Sequence, residues 1–221
     1  MRVVGIIPAR WASGRFPGKP LAPIAGIPML QRVYTGACRA RRLERVLVAT
    51  DDPRIAGFCD SIGAPVVLTA PDHPSGTDRL AEVARSLDEE IVVNIQGDEP
   101  LIEASLVDAA VEALLADPGT PMATVACAAA AADLADPNCV KVVLDRRGFA
   151  LYFSRSAIPW CGADRAGHAP LRHIGLYAYR REFLLEFVSL ERGPAEQAEA
   201  LEQLRVLEHG RRIRVAMVEG W

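Results

Sequence analysis

Short apolar runs alternate with amphipathic segments through the first 116 residues of the chain. Apolar runs without polar alternation are typical of strands that are buried on both faces of a parallel sheet. We predict such strands at residues 3–7, 46–50, 65–68 and 91–95. Apolar spacings of three and four residues predict helices between and after them, at residues 28–40, 52–62, 77–87 and 104–116. Repeated strand–helix units favour a three-layer α/β fold with a doubly wound, mostly parallel sheet.

The second half of the chain is richer in strands than in helices. The alanine-rich residues 128–135 fit either a helix or a loose linker, and residues 162–169 are expected to form a mobile loop. No repeat or clear hinge divides the chain, so we expect one domain over residues 1–221 with a smaller mixed β/α elaboration in its second half. We predict strands there at residues 122–128, 140–144, 150–154, 175–179 and 213–218, and helices at 181–188 and 198–208.

Composition argues against several classes of protein. The 221 residues carry a net charge of −3, which gives no overall field that would attract nucleic acid. No apolar run approaches the roughly 20 residues that cross a bilayer, and no charged-then-apolar leader precedes the first strand. We therefore expect a cytoplasmic protein with neither a membrane nor a nucleic-acid partner. The five cysteines lack the spacings of a metal site or a redox pair, so we interpret them as ordinary core or surface residues.

The loop after the first strand has the composition of a polyphosphate-binding loop. Arg10, Arg15 and Lys19 can neutralise phosphate charge, while Gly14 and Gly18 allow backbone N–H groups to approach phosphate oxygens. The loop lacks the glycine spacing of the Walker motif, and no dinucleotide fingerprint opens a helix here. The alternative interpretation is a basic surface loop without a ligand.

Polar loops that follow the neighbouring strands would meet this loop, because parallel α/β sheets bind ligands outside the carboxyl ends of their strands. After the strand at residues 91–95, Gly97 permits a tight turn and Asp98 is suited to hold Mg²⁺ against nucleotide phosphates. Asp98 could instead cap the helix that follows. Residues 75–77 could hydrogen-bond a nucleobase, with Arg79 reaching an anion, or could simply cap the next helix.

Together these motifs resemble those of the 3-deoxy-D-manno-octulosonate (Kdo) cytidylyltransferases, the CMP-Kdo synthetase family. The most specific are Pro-Gly-Lys-Pro-Leu at residues 17–21, Gln-Gly-Asp-Glu-Pro at 96–100 and Arg-His-Ile-Gly-x-Tyr at 172–177. The cationic loop itself is shared with related sugar nucleotidyltransferases, including CMP-sialate synthetases. The resemblance runs in family order through residues 7–21, 48–52, 72–79, 93–101, 137–144, 151–159, 172–183 and 199–207.

The resemblance implies that a cytidylyl group passes from CTP to the anomeric C2 hydroxyl of Kdo, with release of pyrophosphate, for lipopolysaccharide biosynthesis. It implies Mg²⁺ as cofactor with Asp98 as its ligand, catalytic roles for Arg10, Lys19 and Asp98, and CTP binding mainly by residues 1–120. The CTP-binding residues that it implies are Pro8, Ala9, Arg10, Ser13, Arg15, Lys19, Ala49, Thr50, Asp51, Ser75 and Gly76.

The resemblance also implies that residues 121–221 mainly bind the sugar and form a homodimer. We expect Arg155 to pair with the Kdo carboxylate, since a sugar acid needs a cation at its site. Each residue of the sugar set could also be purely structural. The residues implied for Kdo are Arg79, Gln96, Arg155, His173, Tyr177, Glu202 and Gln203.

Two alternatives stay open. One is cytidylyl transfer to another acid sugar, such as sialate. The other is nucleotide binding with impaired catalysis, because members of the family carry a second metal carboxylate in a segment beyond the residues that match Trp221, and no residue here matches it.

Overall fold

The structure is a computed structural model that describes residues 1–12, 16–160 and 170–219. Its strands are β1 (Val3–Ala9), β2 (Pro23–Ile24), β3 (Ile27–Pro28), β4 (Arg45–Thr50), β5 (Val66–Leu68), β6 (Ile91–Asn94), β7 (Met122–Ala128), β8 (Lys141–Leu144), β9 (Ala150–Ser154), β10 (Leu171–Arg180) and β11 (Ile213–Met217). Its α-helices are α1 (Met29–Ala37), α2 (Pro53–Ser61), α3 (Gly76–Ala84), α4 (Ala104–Leu115), α5 (Ala131–Ala135), α6 (Arg181–Phe187), α7 (Pro194–Glu199) and α8 (Leu204–Glu208). A short 3₁₀ helix spans Lys19–Leu21.

Within the described residues, one nine-stranded sheet forms the middle layer, with the order β11-β7-β10-β6-β1-β4-β5 and with β8 and β9 extending from β10. Strand β1 is parallel to both β4 and β6, and β4 is parallel to β5. Strand β10 is antiparallel to β6 and to β7, so β7 and its parallel neighbour β11 run in the same direction as β1. The carboxyl ends of these six parallel strands therefore lie along one edge of the sheet.

Helices cover both faces of the sheet, which confirms the predicted three-layer, mostly parallel α/β fold. Alternate residues of β1 supply the two cores: Val3 and Ile7 face one side, and Val4 and Ile6 face the other. Helices α1, α2 and α4 pack on the first side, while α3, α6 and α8 pack on the second. No helix in the described part of the chain is long and apolar enough to cross a bilayer.

Several elements differ from the sequence prediction. Residues 131–135 form a helix, which settles the choice between helix and linker there. A short β2–β3 hairpin precedes α1 and was not predicted. Strand β10 is longer than the predicted residues 175–179, because it continues past a register shift between Ile174 and Tyr177. The predicted loop at residues 162–169 lies outside the described residues.

The prediction of a single helix at residues 198–208 is wrong, because the structure has two helices, α7 and α8, with a turn between them. Ala200 ends α7 in the left-handed conformation, with φ 51° and ψ 47°. This conformation is costly for a residue with a side chain. A long-range contact supports the turn, because the Arg155 guanidinium donates to the carbonyl oxygens of Glu199 (2.8 Å) and Ala200 (3.3 Å).

A buried ion pair joins the two short helices. The Arg205 guanidinium donates to both carboxylate oxygens of Glu196, from Nε at 2.7 Å and from Nη2 at 2.6 Å. It also lies 4.7 Å from the centre of the Phe187 ring. The hydrogen bond to Glu196 is the main reason that the pKa of Arg205 is raised. Because both side chains are buried, loss of one partner would leave a charge without water.

Replacement Glu196→Ala is expected to lower the free energy of unfolding by about 3 kcal/mol or more, because Arg205 would remain buried without its bidentate partner. Denaturant unfolding followed by circular dichroism measures this. The control is Glu186→Ala, which breaks an exposed pair with Arg211 and should cost less than about 1 kcal/mol. Equal losses in the two variants would contradict the importance of the buried pair.

Candidate active site

A cavity of about 550 Å³ opens at the carboxyl ends of β1 and β6, beside the N-terminus of α3. It brings together nine of the residues predicted from the sequence, from four separate segments. These are Pro8, Ala9, Arg10, Lys19, Ser75, Gly76, Arg79, Gln96 and Asp98. The predicted residues Ser13 and Arg15 lie outside the described part of the chain. The convergence of strand-end loops that the sheet topology predicts is therefore present in the structure.

The cationic loop is held in place by Trp11. The backbone N–H of Gly18 donates to the Trp11 carbonyl at 2.9 Å, and the Arg54 guanidinium lies 3.6 Å above the centre of the Trp11 ring. Gly18 has a φ of +75°, and a Cβ there would be 2.9 Å from the Trp11 ring. Glycine is therefore needed both for the turn and for the packing that presents Lys19.

Lys19 and Asp98 form the charged pair of the cavity. Lys19 Nζ donates to Asp98 Oδ2 at 2.8 Å, although 79 residues separate them in the chain. The side chains keep 39% and 55% of their surface exposed, so water or a ligand can reach both. Gly97 makes this approach possible, because a Cβ at that position would be 2.7 Å from the carbonyl oxygen of Pro8. The loops that follow β1 and β6 thus place one cation and one carboxylate in contact.

The carboxylates at this edge suit a hard cation that shares its ligands with phosphate. Glu99 follows Asp98, and the pKa of Glu99 is raised by burial and then by the Asp98 charge. In the described ranges no three His, Cys, Asp or Glu side chains are close enough to hold a metal on their own. Mg²⁺ commonly takes one or two carboxylates and completes its shell with water and phosphate oxygens. The residues present therefore fit Mg²⁺ bound together with a nucleotide.

Arg79 lies in the wall between the end of β4 and α3. It is 3% exposed, its Nη2 is 3.0 Å from Asp51 Oδ1, and it donates to the Thr69 hydroxyl. Its charge is therefore balanced within the protein. Thr50, at the end of β4, accepts a hydrogen bond from the Asp52 N–H through its hydroxyl at 3.2 Å. With Ala49, these residues form a buried support behind the cavity.

The N-terminus of α3 has the capping role that the sequence allowed. Ser75 is the N-cap, and its hydroxyl accepts from the Asp78 N–H at 3.2 Å. The same hydroxyl lies 3.1 Å from Glu202 Oε1, and Thr77 Oγ1 donates to Glu202 Oε2 at 2.6 Å. Ser75 therefore both caps α3 and lines the cavity, so the two alternatives predicted for this segment hold together. Glu202 joins this segment from the turn between α7 and α8.

The predicted sugar residues of β10 are placed deeper than the cavity lining. His173 is buried, and its Nε2 lies 2.9 Å from Thr124 Oγ1. Burial lowers the pKa of His173 to about 3, so the ring is neutral at physiological pH. Burial, followed by the charge of Glu202, raises the pKa of Tyr177. Gln203 is 4% exposed, and its side-chain nitrogen has no hydrogen-bond partner in the described part of the chain.

The Arg155 guanidinium is hydrogen-bonded to backbone carbonyls. Besides Glu199 and Ala200, its guanidinium donates to the carbonyl of Pro137 at 2.9 Å. A guanidinium has five N–H groups, so two remain beyond these three bonds. The structure thus gives Arg155 a role in joining loops, in addition to the role in sugar binding that the resemblance implies.

Lys141 is a residue that the sequence did not indicate. It is completely buried, and its ammonium group donates to the carbonyls of Asp136 (3.0 Å), Cys139 (2.6 Å) and Arg155 (2.5 Å). A lysine in an apolar strand is normally expected to point to solvent, so nothing in the sequence indicated that Lys141 is buried and bonded to carbonyls. Other lining residues that the sequence did not assign to the site were Phe16, Pro20, Met29 and His73.

The cavity with its Lys19–Asp98 pair lies at the carboxyl ends of parallel strands, where doubly wound α/β proteins bind ligands such as nucleotides. The sequence profile of the Cytidylyltransferase family matches residues 4–213. The chain belongs to the cytidylyltransferase family, and it is a nucleotidyltransferase.

Relatives and solved structures indicate which group of cytidylyltransferases the chain resembles. The chain is 51% identical to the 3-deoxy-manno-octulosonate cytidylyltransferase of Syntrophotalea carbinolica, over 97% of this chain and 90% of that protein. It is 54% identical to that of Syntrophobacter fumaroxidans, over 98% and 89%. A solved CMP:2-keto-3-deoxy-manno-octonic acid synthetase in complex with CTP has a TM-score of 0.94 and 44% identity, covering 99% of this chain and 90% of that one. The resemblance to CMP-Kdo synthetases is thereby confirmed.

A more distant structure supports the fold alone. The 4-diphosphocytidyl-2C-methyl-D-erythritol synthase of Anaerococcus prevotii has a TM-score of 0.62 at 13% identity, covering 99% of this chain and 89% of that one.

The buried His173 is expected to make the protein less stable in acid. Its pKa falls from an ordinary 6.5 to about 3 on folding, so between these values the unfolded chain binds a proton that the folded chain does not. Its contribution to stability is complete above pH 6.5 and is lost as pH falls towards 3. His173→Gln should therefore make the free energy of unfolding fall less steeply with acid, by up to about 1.4 kcal/mol per pH unit.

Denaturant unfolding at a series of pH values between 7 and 4 measures this slope. His209→Gln, at an exposed histidine, is the matched control and should keep the wild-type slope. An unchanged slope in His173→Gln would show that the ring is not held neutral.

Proposed function

We propose that this protein transfers the cytidylyl group of CTP to the C2 hydroxyl of Kdo, releasing pyrophosphate and forming CMP-Kdo for lipopolysaccharide biosynthesis. The observation that carries the proposal is the contact of Lys19 with Asp98 at 2.8 Å in the strand-edge cavity. The names of the relatives and of the CTP-bound structure support CTP and Kdo as the two substrates.

In the proposed reaction, the C2 hydroxyl oxygen attacks the α-phosphorus and loses its proton to water. The bond from the α-phosphorus to the oxygen that bridges the β-phosphate breaks, and pyrophosphate leaves. Arg10 and Lys19, with Ser13 and Arg15 of the same loop, bind the triphosphate and stabilise the negative charge that develops on the leaving group. Asp98 would hold Mg²⁺, which when bound neutralises phosphate charge and favours the ionised sugar hydroxyl.

The nucleotide side of the site uses the backbone as well as side chains. We assign Pro8, Ala9, Ala49, Thr50, Asp51, Ser75 and Gly76 to CTP. Gly76 supports this assignment, because it lines the cavity together with Ser75 and Pro8, from the first turn of α3.

We assign the acid sugar to the side of the site nearest β10 and the α7–α8 turn. A sugar acid offers several hydroxyl groups and one carboxylate, so it needs mixed donors and acceptors with a cation. The unpaired side-chain nitrogen of Gln203 supports this, because it is a buried donor without a protein acceptor in the described ranges. The assigned residues are Arg79, Gln96, Arg155, His173, Tyr177, Glu202 and Gln203.

The test is pyrophosphate release with CTP, Mg²⁺ and either Kdo or sialate. Wild-type protein is expected to release pyrophosphate with Kdo and much less with sialate. Asp98→Asn should reduce the Kdo-dependent rate by about 100-fold or more, because the metal carboxylate is lost while the side chain keeps its size. Faster release with sialate would assign the other acid sugar instead.

Asp60→Asn, at an exposed aspartate of α2, is the matched control and should keep the wild-type rate. Calorimetric binding of CTP without pyrophosphate release from either sugar would favour the alternative, a nucleotide-binding protein with impaired catalysis. Full activity of Asp98→Asn would remove the metal role from this residue.

We also propose that the protein acts in the cytoplasm. Cys38, Cys59 and Cys139 are free thiols, which fits a reducing compartment. Burial raises the pKa of Cys59 to about 11, so this thiol stays protonated and unreactive.

A homodimer is the assembly that we propose. Among the described strands β9 pairs only with β8, and this edge carries the exposed side chains of Leu151 (61%) and Tyr152 (36%). Trp160, a few residues further on, is 84% exposed. An apolar sheet edge of this kind is normally covered by another element or chain.

Sedimentation should give a wild-type mass twice the 23.9 kDa of the chain, and Leu151→Glu should shift the protein towards the single-chain mass. A charge introduced into a covered apolar edge opposes association. Leu68→Glu, at the exposed leucine of β5 on the opposite edge of the sheet, is the control and should leave the mass unchanged. A wild-type protein of single-chain mass would contradict the dimer.

A further inference from the structure

The first turn of α3 is bonded to the turn between α7 and α8 through one carboxylate. Glu202 Oε2 accepts from Thr77 Oγ1 at 2.6 Å, and Glu202 Oε1 lies 3.1 Å from the Ser75 hydroxyl. Arg205 Nη2 lies 3.6 Å from the same Oε1. Both oxygens of the carboxylate are therefore held, from two different directions.

Thr77 and Ser75 do not hold Glu202 equally. The Ser75 hydroxyl has one proton, and Asp78 Oδ2 at 2.7 Å competes for it with Glu202. Thr77 is 2% exposed, and its hydroxyl donates to Glu202 at the shortest distance of the group. A hydrogen bond to a charged acceptor that is shielded from water is stronger than an exposed or a shared one. Thr77 is therefore the principal support of the carboxylate.

The position of Thr77 connects the two proposed substrates. Its neighbours Ser75 and Gly76 line the cavity assigned to CTP, while Glu202 belongs to the segment assigned to the acid sugar. Ala200, in its left-handed conformation, ends α7, and the N–H groups of Leu204 and Arg205 then donate to the carbonyls of Leu201 (3.1 Å) and Glu202 (3.2 Å). These bonds fix the backbone at Glu202 and leave the direction of its side chain open. An outside contact must fix the direction of Glu202, and the described contacts assign this to Thr77.

We propose that Thr77 is a positioning residue for the acceptor sugar: its hydroxyl orients the Glu202 carboxylate and so sets the affinity for the acid sugar without contacting CTP. This rests on the function proposed above. The consequence is that the acceptor side is built on the same helix turn that forms the nucleotide wall.

Thr77→Val removes the hydroxyl and keeps the shape of the side chain. It is expected to raise the KM for Kdo by about tenfold, as for the loss of one charge-assisted hydrogen bond, while the KM for CTP stays within about twofold. Thr77→Ser restores the hydroxyl and should bring the KM for Kdo back to within about threefold of wild type. Pyrophosphate release under varied Kdo and varied CTP gives both constants.

Thr120→Val is the matched control, because it removes the hydroxyl of another buried threonine, which lies just before the amino end of β7, whereas the cavity lies at the carboxyl ends of the parallel strands. It should change neither KM. An equal rise in both KM values of Thr77→Val, or no recovery in Thr77→Ser, would overturn the proposal. If Thr77→Val and Thr77→Ala both fail to fold while Thr77→Ser folds, the hydroxyl serves the fold as a whole, and the proposal is likewise overturned.

A substrate-free measurement separates this proposal from the proposed function. Thermal unfolding of Thr77→Val, Glu202→Gln and the double variant should show a melting-temperature loss in the double variant that is smaller than the sum of the two single losses. Additive losses would overturn the positioning role even if the enzyme uses Kdo. A wild-type protein that is inactive with CTP and Kdo but shows the coupling would overturn the proposed function alone.

Discussion

The close approach of β1 and β6 at their carboxyl ends is the constraint on which the site depends. At Gly97 the chain passes so near the Pro8 carbonyl that a Cβ would lie 2.7 Å from it. Only this approach brings Asp98, from one strand end, within 2.8 Å of Lys19, from the loop after the other. The parallel register of β1 with β6, fixed by buried Val and Ile side chains on both faces, maintains the approach. Packing in the core thus determines the geometry of a charged pair at the surface.

The side of the site that we assign to the acid sugar is organised by a different interaction, the donation of cationic N–H groups to backbone carbonyls. The Lys141 ammonium group donates to three carbonyls, one of them that of Arg155, and the Arg155 guanidinium in turn donates to those of Pro137, Glu199 and Ala200. Loops have many carbonyls without helical or sheet partners, and burying these groups unpaired is unfavourable. The long side chains of Lys141 and Arg155 therefore supply hydrogen bonds that a strand or helix would otherwise provide. In this way they hold irregular segments of the chain in place.

The sequence predicted what depends on local pattern. The strands and helices of the first 116 residues follow from apolar periodicity, and the meeting of Lys19 with Asp98 follows from the direction of parallel strands. The break at Ala200 did not follow, because Ala, Glu, Gln and Leu around it all favour a helix, and a guanidinium 45 residues away in the chain supports the turn. Lys141 was missed for the same reason, since its carbonyl partners come from loops whose paths no local pattern describes.

The two sides of the site also differ in what substrate binding must change. The Lys19–Asp98 pair is partly exposed, and exposed pairs contribute at most about 1 kcal/mol, so phosphate and a cation can separate it at low cost. On the other side, Thr124 is hydrogen-bonded to His173 in a buried pair, and Thr77 to Glu202 in a partly buried one. Rearranging such pairs would leave buried polar groups without a hydrogen-bond partner. The side that we assign to CTP is therefore suited to exchange its partners on binding, whereas the side that we assign to the acid sugar would be formed before the sugar arrives. In the proposed reaction, a rigid sugar side would hold the attacking hydroxyl at a fixed position relative to the α-phosphorus, which is the main contribution that a protein can make to in-line phosphoryl chemistry.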